Sequence, residues 1–149
     1  MRMQTDPRLS GYLSRALSHE LAAVQQYLMQ AKLVDLWGMA EMSTQMCKDV
    51  QEELAHAERL MVRMLVLGIP SNATQLPPVR TGRCVEEMWQ INRLLEIEAV
   101  RLYEEGSLYC ARIRDSETQS LFDDILKEEM GHLAEIERLL STQQKGTKS

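Results

Sequence analysis

The chain is poor in the residues that interrupt helices. It has seven glycines and four prolines in 149 residues. Three of those prolines fall in one stretch, residues 68–82, GIPSNATQLPPVRTG. Three cysteines, Cys47, Cys84 and Cys110, are odd in number, far apart and outside any C-x-x-C pattern. That excludes a disulfide framework or a cysteine zinc site, fits a reducing cytoplasmic compartment and leaves them as small buried thiols. No long apolar run occurs: Leu60–Leu67 is broken by Arg63, so nothing is expected to span a bilayer. The opening MRMQTDPRLS lacks the apolar segment of a signal peptide. Positive charge is also short, with 17 Lys and Arg against 22 Asp and Glu and a net charge of −5. Such a chain has no electrostatic footprint for nucleic acid or an anionic membrane surface, and neither is expected as a partner.

What is present is helical. Leu, Glu, Ala, Met, Gln and Arg dominate, and apolar residues recur at three- and four-residue intervals. The pattern predicts helices over about 6–37, 39–68, 83–113 and 116–142 within one domain, followed by a polar tail, 143–149. The first opens at Thr5 or Asp6, with Pro7 where a missing N–H costs nothing. Gly38 offers a stop, and Ser116 with Gln119 has the form of a capping box. Two short turns imply two antiparallel hairpins, and the longer middle stretch is long enough to cross a bundle. The fold class expected is all-α, an antiparallel four-helix bundle with one long crossover between helices 2 and 3, the ferritin-like topology. The ten methionines are expected to fill its core.

Two of the three histidines close a Glu-x-x-His, Glu53–His56 and Glu129–His132, and these motifs lie 76 residues apart. The same offset pairs Glu20 with Glu96, Ala23 with Ala99, Val24 with Val100, Tyr27 with Tyr103 and Glu52 with Glu128. A duplicated hairpin has thus kept polar positions in register. Glu20 and His56 are equidistant from residue 38, and Glu96 and His132 from residue 114, so all four segments meet at one height. A Glu and a His at i and i+3 share a helix face, and these faces carry the apolar stripes. Four carboxylates buried together repel and protonate unless cations sit among them. Two divalent ions supply the matching charge, and this donor set suits iron, manganese or zinc. The predicted metal and catalytic residues are Glu20, Glu53, His56, Glu96, Glu129 and His132. His19 is expected at a surface or interface, and Glu52 and Glu128 as solvated charges. Tyr27 and Tyr103 either pack the core or orient a ligand.

This Glu…Glu-x-x-His…Glu…Glu-x-x-His order is that of ferritin-like di-iron carboxylate proteins. Among them the chain resembles bacterioferritins over roughly residues 9–140, through LSHELAAVQQYLMQAKLVDLWGM, EELAHAERLMVRMLVLGIP, VEEMWQINRLLEIEA and ILKEEMGHLAEIE. The resemblance implies a ferroxidase that oxidises Fe(II) with O2 or H2O2 for iron storage or detoxification. Glu53 and Glu129 would bridge two irons, with Glu20 and His56, and Glu96 and His132, as terminal ligands. It also implies a homo-oligomer, from a dimer up to a 24-subunit shell. Three departures accompany it. The family's haem-ligating methionine is Leu54 here, so haem is expected only from a second, methionine-bearing bacterioferritin-type subunit. A cavity-side iron site loses its histidine to Lys48. The short fifth helix has no counterpart in the 17 residues after His132. The alternatives are a non-storing di-iron oxidase, a peroxide-reducing enzyme or one subunit of a mixed cage.

Overall fold

The computed structural model describes residues 6–71 and 76–146. Four helices form among the described residues: α1 (Pro7–Leu36), α2 (Ala40–Leu67), α3 (Val85–Arg112) and α4 (Ser116–Gly146). Cross-helix bonds fix their directions. Asp6 meets Tyr109, and Tyr27 meets Glu96, so α1 and α3 run antiparallel. Arg63 meets Glu117, and His132 meets Glu52, so α2 and α4 do too. With α1 and α2 joined by a tight turn, α2 and α3 must be parallel. The 68–84 connection therefore crosses the length of the bundle. It is tied down where the Gln26 side chain bonds both the N–H and the carbonyl of Arg80.

Helix ends follow local chemistry. Asp6 Oδ1 accepts from the backbone N–H groups of Arg8 and Leu9 at 2.8 and 3.1 Å, and Pro7 follows it. Gly68, at φ +72°, closes α2, and the next residue, Ile69, is buried. The fourth helix starts differently from the capping box expected. Asp115, rather than Ser116, is the cap: its Oδ1 accepts from Thr118 N–H at 3.0 Å and its Oδ2 from the Thr118 hydroxyl at 2.7 Å. The backbone reverses one residue earlier than the Ser116 reading needed. The helix also continues to Gly146, four residues past the expected end, because Gln143, Gln144 and Lys145 are good helix formers with no breaker before the glycine. The expected tail is thus helical to residue 146, and 147–149 lie outside the described residues.

The two hairpin turns are copies of one another. Trp37, Gly38 and Met39 donate to Leu33, Asp35 and Val34, while Ile113, Arg114 and Asp115 donate to Tyr109, Ala111 and Cys110. Each pair is offset by the repeat length. Both central residues are left-handed, Gly38 at φ +84° and Arg114 at φ +60°.

The helices neighbour one another in the ring order α1–α2–α4–α3. Apolar clusters occupy each end of the bundle, one around Leu13, Leu17, Leu60, Met64 and Phe122 and the other around Val34, Met46, Met88, Trp89 and Ile136. Each fully buried Leu or Phe contributes roughly 1.5–3 kcal/mol. Methionine fills the core as expected at positions 46, 64 and 88, but Met29 and Met130 are exposed. Of the thiols expected to be buried, only Cys110 is; Cys84 sits exposed at the cap of α3 and Cys47 is half-buried.

The turn geometry sets opposite signs for two substitutions. No neighbour lies within 4 Å of a Cβ placed at Gly38, so Gly38→Ala meets only the left-handed backbone penalty of about 1 kcal/mol. Arg114→Gly relieves the same penalty. Urea denaturation midpoints are expected to fall for the first and rise for the second.

Candidate functional site

Between the two apolar clusters lies a layer of buried charge. Glu20 comes from α1, Glu53 and His56 from α2, Glu96 from α3, and Glu129 and His132 from α4. The four carboxylates and His56 are at most 3% exposed, and His132 is half-buried. All six residues predicted from the repeat are brought together. Their donor atoms form two groups, Glu20–Glu53–His56–Glu129 and Glu53–Glu96–Glu129–His132, each within 4.8 Å. Glu53 and Glu129 belong to both.

The distances obey the internal two-fold. His56 Nδ1 lies 2.8 Å from Glu129 Oε1, and His132 Nδ1 lies 3.1 Å from Glu53 Oε1. Nδ1 of His56 is 3.5 Å from Glu20, and Nδ1 of His132 is 4.0 Å from Glu96. The Tyr103 hydroxyl donates to Glu20 Oε1, and the Tyr27 hydroxyl to Glu96 Oε1, both at 2.6 Å. The tyrosines thus orient the outer carboxylates. Among the described residues, five buried side-chain atoms have no aligned hydrogen-bond partner: Glu20 Oε2, Glu53 Oε1, His56 Nδ1, Glu96 Oε2 and Glu129 Oε1. All five belong to this cluster. Burying such atoms unsatisfied is costly, which makes them ready donors to cations.

Glu52 and Glu128 are not free solvated charges. Glu128 Oε2 accepts from His56 Nε2, and Glu52 Oε2 from His132 Nε2, each at 2.5 Å. Each is about half exposed, but its carboxylate reaches back over the imidazole of the facing helix. The signal was in the repeat, which keeps both glutamates in register. A second polar pair has no such signal: Gln30 and Asn92 exchange hydrogen bonds of 2.9 and 2.8 Å in the core. His19 stays outside both donor groups and is half-buried in the single chain.

The model of the Ferritin-like domain matches residues 11–145. A Rhodobacter capsulatus bacterioferritin is 31% identical over 139 residues, which cover 93% of this chain and 86% of that protein. A bacterioferritin of Streptomyces coelicolor is 34% identical over 93% of this chain and 83% of its own length. The chain belongs to the bacterioferritin family. Solved structures agree. A Mycobacterium tuberculosis bacterioferritin superposes with a TM-score of 0.92 at 26% identity, over 96% of this chain and 90% of that one. The Rhodobacter capsulatus structure, described with a metal-free dinuclear site and a haem iron, gives 0.92 at 30% identity over 96% and 89%.

In this bacterioferritin-family chain the electrostatics of the metal-free layer follow from burial. Burial raises Glu20, Glu96 and Glu129, the last to about 12 with Glu96 adding to the shift. Burial also opposes charge on Glu53, but contacts from Glu20, His132 and His56 outweigh it and hold Glu53 below the usual range. For His132, burial works against the proton, yet Glu53 and Glu96 win and lift it to about 9. His56 is raised too, against burial, by Glu129, Glu20 and Glu53. Burial lifts both tyrosines well above 10, so they remain hydroxyl donors. Protons thus stand in the metal-free layer where cations would otherwise balance the charge.

A group whose folded pKa is raised stabilises fully below its unfolded pKa and loses that contribution as pH rises through the folded value. For Glu129 the window runs from 4.5 to about 12, and for His132 from 6.5 to about 9. The opposite contribution of Glu53 is lost only below its ordinary 4.5. The metal-free chain is therefore expected to lose stability between about pH 5 and pH 9. Its urea midpoint should fall steadily across that range; a flat or rising midpoint contradicts the assignment.

Proposed function

We propose that Glu20, Glu53, His56, Glu96, Glu129 and His132 hold a pair of iron ions, with Glu53 and Glu129 shared between them. The observation that carries this reading is the sharing itself: two donor groups with two carboxylates in common, and buried oxygens lacking an aligned hydrogen-bond partner. Carboxylates and imidazole suit iron, and manganese or zinc would also fit. The chain is a ferroxidase of bacterioferritin type, converting Fe(II) to Fe(III) in iron storage or detoxification. Two Fe(II) held there would together release the two electrons that, with two protons, reduce O2 to H2O2 or H2O2 to water.

The protein's own residues prepare that chemistry. Protons held on Glu20, Glu96 and Glu129 leave as cations arrive, so binding couples to proton release. Tyr27 and Tyr103 each fix one oxygen of an outer carboxylate and leave the second buried without a hydrogen-bond partner. Glu52 and Glu128 accept from the Nε2–H of their histidines and so hold Nδ1 toward the centre, where a binding cation would displace its proton. Leu54 offers no axial ligand, so a homo-oligomer binds no haem through that position. Val62, Leu65 and Val66 form an exposed apolar stripe on α2, which supports association between copies of the chain. Storage requires such copies to close a shell, whether of this chain alone or with a second bacterioferritin-type subunit.

Glu53→Ala and His132→Ala are each expected to abolish rapid Fe(II) oxidation in stopped-flow absorbance; unchanged rates in either reject the site. Glu128→Gln, which keeps the fold and every ligand, is expected to weaken metal binding roughly 10- to 100-fold. Aerobic Fe(II) titration tests storage separately. Soluble uptake far beyond two irons per chain supports it, and oxidation that stops near two favours a non-storing di-iron oxidase.

A further inference from the structure

The internal two-fold is broken in one place beside the site. A cavity of about 120 Å³ adjoins Glu53, Glu96 and His132 and is walled by Tyr27, Met46, Trp89 and Ile136. Met46 and Trp89, with Gln45 and Leu139, also line an open surface groove of about 670 Å³ near Gly38–Met42. Cavity and groove thus share these side chains as their common wall, on the line from the surface to the Glu96–His132 half of the site.

The repeat supplies a control within the same molecule. Shifted by 76 residues, Met46 becomes Phe122, Asp49 becomes Ile125, Trp89 becomes Leu13, and Gln30 becomes Gly106. In that half the space is filled. Phe122, Ile125 and Leu13 are at most 1% exposed, and Phe122 stands edge-on to Tyr103 at 5.7 Å. Its ring presses on Gly106 so closely that a Cβ there would lie 2.8 Å away. The repeat therefore carries a filled half and a hollow half, and the side chains at matching positions differ in size.

The walls indicate the guest. Gln30 and Asn92 bond each other's amides, each donating to the other's carbonyl oxygen. Asp49 accepts from Gln45 at 3.3 Å, and Glu135 is held by Arg138. The remaining surface is mostly apolar, and a divalent ion stripped of water there would lose several kcal/mol of solvation. A cation has a polar alternative: the groove between α2 and α4 lined by Glu52, Glu128, His56 and His132, where Arg59 is paired with Asp124 and Glu128. A neutral diatomic molecule meets no such penalty in the apolar passage. Resting on the ferroxidase reading above, we infer that the Met46–Trp89 passage delivers dioxygen to the site from the Glu96–His132 side, while cations arrive over the polar α2–α4 face.

Met46→Phe copies the plug found at Phe122. Met46→Phe with Gln30→Gly copies the Phe122–Gly106 pair and covers the case in which Phe alone is too crowded. Xenon-pressurised crystals of the metal-free wild type are expected to show xenon beside Met46, and the plugged variants are expected to lose it. In stopped-flow, the plugs should slow oxidation by O2 about tenfold or more. Oxidation by H2O2 and titration with Zn²⁺ should stay at wild-type values. Absence of xenon, an unchanged O2 rate or equal slowing with both oxidants overturns the proposal. A wild type that oxidises no iron with either oxidant instead fails the ferroxidase reading, whereas a working wild type with an indifferent plug fails the passage alone.

Discussion

Four carboxylates and two imidazoles buried in one layer of a helix bundle form the constraint on which the rest of this structure depends. Each ion in that layer costs several kcal/mol to remove from water. The fold can hold them only because every charge has an opposite or a proton within a few ångström. The flanking apolar clusters supply the stabilisation against which that cost is set, and they also exclude water, which strengthens every interaction inside. Removing the apolar ends would not merely weaken the bundle. It would admit solvent to the layer and erase the pKa differences that make its oxygens available to cations.

The two-fold repeat organises how this layer is met. Every contact made by one histidine is repeated by the other with only small changes in distance, and the turns repeat their hydrogen bonds atom for atom. Divergence is confined to side chains around the shared frame. Gly106 and Phe122 close one half, while Gln30, Asn92 and Met46 keep the other from collapsing. The symmetry is thus preserved where charge must be balanced and relaxed where only volume is at stake.

Much of this was legible in the amino-acid order. Periodicity alone gives the helices to within a few residues, and the polar register of the repeat gives all six central side chains. Three things were not. Glu52 and Glu128 are exposed as their positions imply, but their bonds to histidine do not show in a single helix, because the imidazole each one holds belongs to the facing helix. Asp115 displaced Ser116 as a cap because the left-handed residue that ends α3 is an arginine, which does not advertise a stop as Gly38 does. The cavity was invisible because it arises from the joint size of side chains on all four helices, and no stretch of sequence shows that.

The hydrogen bonds that close the polar layer span 69, 72, 80 and 83 positions along the chain. Each links one hairpin to the other, and none reinforces a hairpin by itself. Loop closure over such separations is entropically expensive and slow, whereas the two tight turns close early. Folding is accordingly expected to proceed through preformed hairpins that dock late, with like-charged faces meeting at the final step. Protons or cations in the layer then govern the rate of docking rather than the formation of the helices.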